Sequence, residues 1–529
     1  MAEDRVTAPT GPKGAPGEHP PLQGGALALG AIGVALATFM NVLDMSIANV
    51  SLPTIAGDLA VSPNQGTWVI TSFGVANAIS MPLTGWLTQR FGAVRLFVAS
   101  VLGFVLTSWL CGLAPTLPWL IAFRVLQGLV AGPMIPLSQA LLMSSFARDK
   151  AEMGLGIWSM TTLVAPVAGP LLGGWITENM TWPWIFYINI PVGLGAAAVV
   201  WTIYRHRETP TRRLPIDGVG LALLIVWVGA LQIMLDKGEE LDWFNSDQIA
   251  VLAVVAFVGF IYFVAWELTE AHPIVDLRLF TRRNFAIGTA TISIGFGIYF
   301  GNIVLLPLWL QQHMSYTATI AGMALAPIGL FAILLSPLVG KNAAKFDPRL
   351  LATVAFLVFA LTMWLRSRYT PQDDLWTILI PTIVQGAGVA FFFIPLMSLI
   401  LSGLPPDRIP AATGLSNFAR ICASSFGTSI ATTVWDDRAT LHHTHLVEQL
   451  GASADTGPLG EAWSRLAAQG LSSEQIAGLI NSNVNQQVFT RSVDDVFLAS
   501  AFLFVVMIAL VWFAKPMKGS TGAHGGGAH

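Results

Sequence analysis

Charge is what this 529-residue chain has least of: Asp, Glu, Lys and Arg make up 11% of it, against 54% hydrophobic residues and a mean hydropathy of +0.65. A water-soluble domain covers its surface with roughly 25% charged residues, so this composition excludes one and points to lipid. The net charge is only −3 and no basic block occurs, which excludes a disordered chain and a nucleic-acid-binding one. Cysteine is scarce as well. Cys111 and Cys422 both fall inside apolar runs, so no extracellular disulfide framework is expected. No GxxxxGK[ST] loop is present, which argues against ATP hydrolysis, and no HExxH, which argues against a zinc intramembrane protease. No segment outside the apolar runs is long enough for a soluble catalytic domain, so the reading is not an enzyme.

Long apolar runs are there in number. A spanning helix needs about 20 mainly apolar residues, and fourteen such runs occur: 26–50, 66–87, 95–114, 117–142, 154–176, 184–204, 217–235, 248–268, 285–310, 317–339, 349–367, 376–401, 411–434 and 493–514. The first is too long for a signal-peptide core and lacks a clear small-residue cleavage site, so it reads as a retained helix. Helices are expected because a lone span in lipid must satisfy its own backbone, and the shorter alternating segments of a barrel are not seen. With the N-terminus placed in the cytoplasm, the cytoplasmic segments hold 19 Lys and Arg and the outer ones 6, Arg366 among the latter. Both ends are therefore expected inside.

The spacing suggests a duplicated unit. GWLTQRFGAVR (85–95) after the second span is echoed by GKNAAKFDPR (340–349) after the tenth, and QGLVAGPMIPL (127–137) by QGAGVAFFFIPL (385–396). Echoes eight spans apart imply two six-helix halves separated by two extra helices, an arrangement of parallel repeats common in secondary transporters. The expected organisation is a disordered cytoplasmic N-terminus (1–24), a first half (25–204), two linker helices (205–268), a second half (269–514) with an outer loop at 436–492, and a Gly-rich cytoplasmic tail (515–529).

Few residues interrupt the apolar runs with chemistry. Asp44, in FMNVLDMSIANV, is the only charge in its span. A carboxylate at the bilayer centre costs roughly 2.5–3.5 kcal/mol, so it is expected to face a cavity or partner and to bind and release a proton. Asn41 lies one turn earlier on the same face and is expected to bond a substrate or the acid. Arg124, in IAFRVLQGLVAG, is the matching base, with Gln127 one turn on; the equivalent place in the second half is Thr382, so coupling is expected in the first half alone. Arg420, with Asn417 one turn before it, is a second buried Arg expected to line the cavity or contact the other half. VAPVAGPLLGGW (164–175) packs Pro166, Gly169, Pro170, Gly173 and Gly174 into one span, which suits a bendable, closely packed rocking interface. The histidines of LHHTHL (441–446) lack an accompanying acidic or Cys ligand set, and no metal is expected there.

At these residues the chain resembles the major facilitator superfamily, in its fourteen-helix drug:proton antiporter branch. LDMSIANVSLP (43–53) is similar to that branch's first-helix motif. GWLTQRFG (85–92) resembles the signature between helices two and three, with Gly85, Arg90 and Gly92 in place and Gln89 where the superfamily usually has an acid. RVLQG (124–128) resembles the fourth-helix motif, and AGPLLGG (168–174) the antiporter motif of helix five. The likeness implies a multi-pass protein of a bacterial inner membrane that expels hydrophobic, drug-like compounds in exchange for protons. The proton gradient would be its only cofactor. It also implies a tripartite pump, with a periplasmic adaptor of the EmrA type and an outer-membrane channel of the TolC type. From the residues alone, a proton-coupled importer of a small solute stays open.

Overall fold

A computed structural model describes residues 20–147, 150–212, 215–343, 345–451 and 458–516. Residues 1–19 and 517–529, on which most of the expected N-terminal disorder and the Gly-rich tail fall, lie outside the described residues. No strand occurs among the described residues.

Fourteen helical segments coincide with the apolar runs: α1 (Gly24–Val50), α2 (Trp68–Ser80, resumed as Thr84–Phe91), α3 (Ala93–Gly112), α4 (Leu117–Ala131, resumed as Met134–Ser145), α5 (Ala151–Asn179), α6 (Trp184–Tyr187, resumed as Asn189–Tyr204), α7 (Gly218–Lys237), α8 (Asp247–Thr269), α9 (Arg283–Gln312), α10 (Ala318–Ala343), α11 (Pro348–Arg366), α12 (Leu375–Leu401), α13 (Ile409–Gly451) and α14 (Ser473–Trp512). Among the described residues, eleven helices are long and apolar enough to cross a membrane by length and composition alone. Of the other segments, α2 is interrupted at Pro82 and α13 carries many small or hydroxylated residues.

Helices α1–α6 pack on one another and α9–α14 on one another, while α7 and α8 lie on the flank. The first and last described residues mark one face: the Leu22 amide donates to Ser145 O (2.9 Å) and Arg283 Nε to Phe513 O (2.6 Å). Hydrogen bonds between the two groups, among the described residues, cluster toward this terminal face. They run from Thr413 Oγ1 to Pro136 O (3.3 Å), from Asn417 Nδ2 to Gln139 Oε1 (3.1 Å) and from Ser398 Oγ to Glu152 Oε1 (3.4 Å). Toward the opposite face α7 bridges the groups. Its Lys237 Nζ donates to Thr67 Oγ1 of the first (2.7 Å), and its Gln232 Oε1 accepts from Ser425 Oγ of the second (3.0 Å). Beside α7 an apolar cavity of about 510 Å³ is lined by Leu224, Trp227, Phe260, Phe263 and Phe418.

The two echoed loops solve the same problem differently. In the second, Asp347 caps α11 by accepting from the Arg349 amide (3.0 Å), and the Arg349 side chain holds the Asp347 carboxyl below the usual carboxylate range. In the first, the corresponding turn is Gly92 at φ +89°, a conformation that only glycine adopts freely. Glycine has no side chain to cap α3, so Glu208, distant in sequence, does: it accepts from the Val94 (2.9 Å) and Arg95 (3.0 Å) amides. A carboxylate at a helix start contributes about 0.3–1 kcal/mol.

The segment expected as an outer loop at 436–492 is largely helical. α13 is 43 residues long and α14 40, and Pro458–Ala468 forms a third helix between them. At 1.5 Å per residue each long helix spans about 60 Å, twice the roughly 30 Å hydrocarbon core. A capping box fixes the start of α14, with Ser472 Oγ accepting from the Gln475 amide (3.2 Å) and Gln475 Oε1 from the Ser472 amide (2.9 Å). His442 is helical too and bonds Asp495 Oδ2 (2.7 Å), which Arg438 also holds (2.6 Å).

Candidate proton-coupling site

Glycine lets α2, α4 and α5 approach closely enough to enclose a charge. A Cβ on Gly128 would collide with Phe73 O, and one on Gly132 would sit 2.6 Å from Ser80 Cβ, so the GxxxG face of α4 lies directly on α2. At the break in α4, Pro133 offers no N–H to Leu129 O, and Ser80 Oγ donates there instead (2.5 Å). Gly169 and Gly173 of α5 lie in the same way on Ser46 and Ile47 of α1, whereas Gly174 has open space before it. The side chains of Pro166 and Pro170 lie outside the described residues.

Asp44 and Arg124 meet. Arg124 Nη1 donates to Asp44 Oδ2 at 2.5 Å, with the pair essentially sealed from solvent at 2% and 0% exposure. Arg124 Nη1 also donates to Gln127 Oε1 (2.7 Å) and Nε to Val69 O (3.0 Å), and the guanidinium lies 4.2 Å from the Phe73 ring centre. The second carboxylate oxygen, Oδ1, accepts from Asn189 Nδ2 (2.8 Å) and, at 3.4 Å, from Gln127 Nε2. Ser108 Oγ accepts from both amides (2.7 and 3.3 Å). Desolvating two charges costs several kcal/mol per ion, and such a pair persists only if its remaining lone pairs are satisfied; this shell of amides does that for Asp44. Twenty residues of α1 precede Asp44, which places it about 30 Å from the terminal face, in the far third of the bundle.

Asn41 does not reach the acid. Its Nδ2 donates to Ala131 O (3.3 Å), at the break in α4. Gly85 and Gly92 belong to the close contacts of the terminal face, and Arg90 lies beside the Trp86 ring (5.5 Å). Asn417 and Arg420 meet along α13, with Arg420 Nη2 donating to Asn417 Oδ1 (2.9 Å), and Asn417 Nδ2 donates across the seam to Gln139 Oε1.

Asn189 and Ser108 were not legible as part of the site. Neutral polar residues cost little in an apolar run, and a search for buried charge passes over them; the signal to follow is an Asn between isoleucines, INIP (188–191). Removing the Asn189 bond by Asn189→Leu is expected to destabilise the protein by about 1.5–3 kcal/mol, the range for a hydrogen bond to a charged group. Thermal unfolding of the purified protein checks this; an unchanged midpoint means the bond carries no weight.

A second correction concerns the other half. Arg366, expected in an outer segment, is fully buried at the end of α11. Its Nη2 donates to Gln385 Oε1 (2.7 Å) and Thr382 Oγ1 (3.1 Å), so it serves Gln385 as Arg124 serves Gln127. The second half therefore does hold a guanidinium at the equivalent place, supplied from the neighbouring helix and without a carboxylate partner among the described residues.

Comparison with known proteins agrees with this architecture. The family model of the Major Facilitator Superfamily matches residues 34–428. The chain is 49% identical over 512 residues to the fatty acid resistance protein FarB of Neisseria gonorrhoeae, covering 97% of this chain and 100% of that one. It is 49% identical over 514 residues to the multidrug export protein EmrB of Escherichia coli K12, with the same coverage. To EmrB of Haemophilus influenzae it is 50% identical over 505 residues, 95% of this chain and 98% of that one. Among solved structures, the human organic anion transporter MFSD10 (TETRAN) shares the fold with a TM-score of 0.57 at 13% identity, over 92% of this chain and all of that one. A double-tryptophan mutant of XylE does so with a TM-score of 0.55 at 14% identity, over 94% and 96%. The chain belongs to the Major Facilitator Superfamily and lies, within it, close to the EmrB export proteins.

Proposed function

We propose that this protein is a proton-driven exporter of hydrophobic, drug-like compounds, working by alternating access of its two six-helix groups from an inner membrane with both termini in the cytoplasm. The observation that carries the reading is the buried Asp44–Arg124 pair, which lies toward the face opposite the termini. Protons arriving from that side would neutralise Asp44 and free Arg124 from its partner, so the pair exists in two states that differ in charge. A buried pair that loses one partner is destabilised by about 3–5 kcal/mol, enough to bias a packed bundle between two arrangements. The halves are sealed toward the termini in this conformer, which corresponds to the state open to, or occluded beneath, the proton-supplying side. An inside-negative potential adds roughly 2.3 kcal/mol per charge per 100 mV. EmrB and FarB, by their names, handle drugs and fatty acids, and an apolar cargo of that kind suits the aromatic walls here.

The long extensions of α13 and α14 are the surface we assign to an adaptor of the EmrA type, which would lead on to a channel of the TolC type. Proteoliposomes loaded with a fluorescent dye test the core of the proposal. An imposed proton gradient is expected to drive dye against its concentration, in the direction opposite to the protons. Dye moving with the protons would identify an importer, and no coupled movement would end the transport reading.

A further inference from the structure

Arg420 lies eleven residues into α13 from the terminal face, about 17 Å deep and near the middle of a 30 Å core. It is 3% exposed and, unlike Arg124, has no carboxylate within reach among the described residues. Both amide oxygens of the Asn417–Gln139 pair beside it are already used. Arg420 Nη2 donates to Asn417 Oδ1 (2.9 Å), and Asn417 Nδ2 donates to Gln139 Oε1 (3.1 Å). Three N–H donors of the cluster are buried and without a partner: Arg420 Nε, Gln139 Nε2 and the indole Nε1 of Trp158. The guanidinium lies 4.6 Å from the centre of the Phe296 ring, 5.6 Å from Phe393 and 5.9 Å from Trp158. Helices α4, α5, α9, α12 and α13 all contribute, so both halves share the cluster. One turn nearer the termini, the Asn417–Gln139 and Thr413–Pro136 bonds close the seam.

A positive charge with unpartnered N–H donors and no carboxylate within reach among the described residues, bedded in aromatic rings just beyond the closed seam, is chemically complementary to an organic anion. Building on the exporter reading, we propose that Arg420 is the specificity-determining residue for organic monoanions. It would take the acidic headgroup while Phe296, Phe393 and Trp158 hold the apolar body. The same placement explains why the charge is tolerated in the second half without an acid of its own, since the headgroup supplies the negative charge. It also has a consequence for energetics. Exporting a monoanion against one proton moves two charges per cycle in the direction the inside-negative potential favours, while an uncharged cargo moves one.

Two fluorescent probes of nearly the same shape separate this from ordinary packing. One is 1-anilinonaphthalene-8-sulfonate, ionised at any working pH, and the other its uncharged parent N-phenyl-1-naphthylamine. In the full-length protein in nanodiscs, without any gradient, Arg420→Gln is expected to lower the preference for the sulfonate over the parent at least tenfold, about the loss of one charge-assisted hydrogen bond. Arg420→Lys should restore part of it. In proteoliposomes the wild type should move about twice the charge per sulfonate as per parent molecule. An unchanged preference in Arg420→Gln, or equal loss for both probes, overturns the assignment. If the wild type moves neither probe under a proton gradient, the exporter reading fails, while the binding ratio still decides the role of Arg420.

Discussion

Asp44→Asn is expected to abolish proton-driven transport, lowering its rate at least about a hundredfold, while the protein still folds. The substitution keeps size and shape, and its amide oxygen can still accept from Arg124 Nη1. What it removes is the proton site and the charge that neutralises Arg124. Breaking a buried pair costs about 3–5 kcal/mol, and about 3 kcal/mol is already a hundredfold in rate. Asp44→Glu keeps the titratable group and displaces it by one methylene, so it should retain more activity than Asn. The decisive measurement is uptake of protons with substrate in proteoliposomes, beside gradient-free exchange of labelled for unlabelled substrate. Exchange should survive in Asp44→Asn, because substrate binding and the rocking of the halves do not require the proton to leave. Wild-type coupling in that variant would remove Asp44 from the mechanism, and loss of both activities would make its role structural.

Why this pair was legible and other parts were not follows from what burial costs. A carboxylate or guanidinium inside an apolar run needs a partner, so Asp44 and Arg124 announce each other across 80 positions. Asn189 and Ser108 complete the same site but are cheap to place in a helix, and beyond the isoleucines that flank Asn189 the local sequence does not mark them. Arg366 ends an apolar run, where sequence alone does not tell a helix end in water from one tucked under its neighbours. Hydropathy also misreads the arms of α13 and α14. A helix that leaves the bilayer loses its apolar signal without losing its hydrogen-bonded backbone, and the SSEQ capping box at 472–475 was the mark that helix resumes. The fourteen helices themselves were legible because lipid demands a length and a composition that few other environments do.

Gly85→Val should open the terminal face. A Cβ at residue 85 would sit 2.5 Å from Ala411 Cβ and 2.8 Å from Ala411 Cα, so α2 and α13 touch through a glycine that cannot be enlarged in this conformer. A few residues along, a Cβ on Gly414 would lie 2.9 Å from Met81 O, which makes the contact reciprocal. Overpacking costs about 1–3 kcal/mol. Because the contact joins the two halves rather than lying inside one, that energy acts on the balance between sealed and open states, shifting it by about 5–150-fold. A cysteine in place of Ser398, beside Glu152 at the same seam, reports the change through its reaction with a membrane-impermeant maleimide. Native Cys111 and Cys422 are buried, so background labelling is low. Labelling should rise in Gly85→Val and stay at the parent level in Gly195→Val, where a Cβ meets open space. Equal labelling in all three would show that the seam does not depend on this contact. Gln89 supplies no charge where the superfamily usually has an acid, so closure rests on fit at Gly85 and Gly414 with the Thr413–Pro136 and Asn417–Gln139 bonds. A steric latch of this kind is insensitive to salt, and the labelling difference is expected to persist at high ionic strength, where a surface ion pair would be screened.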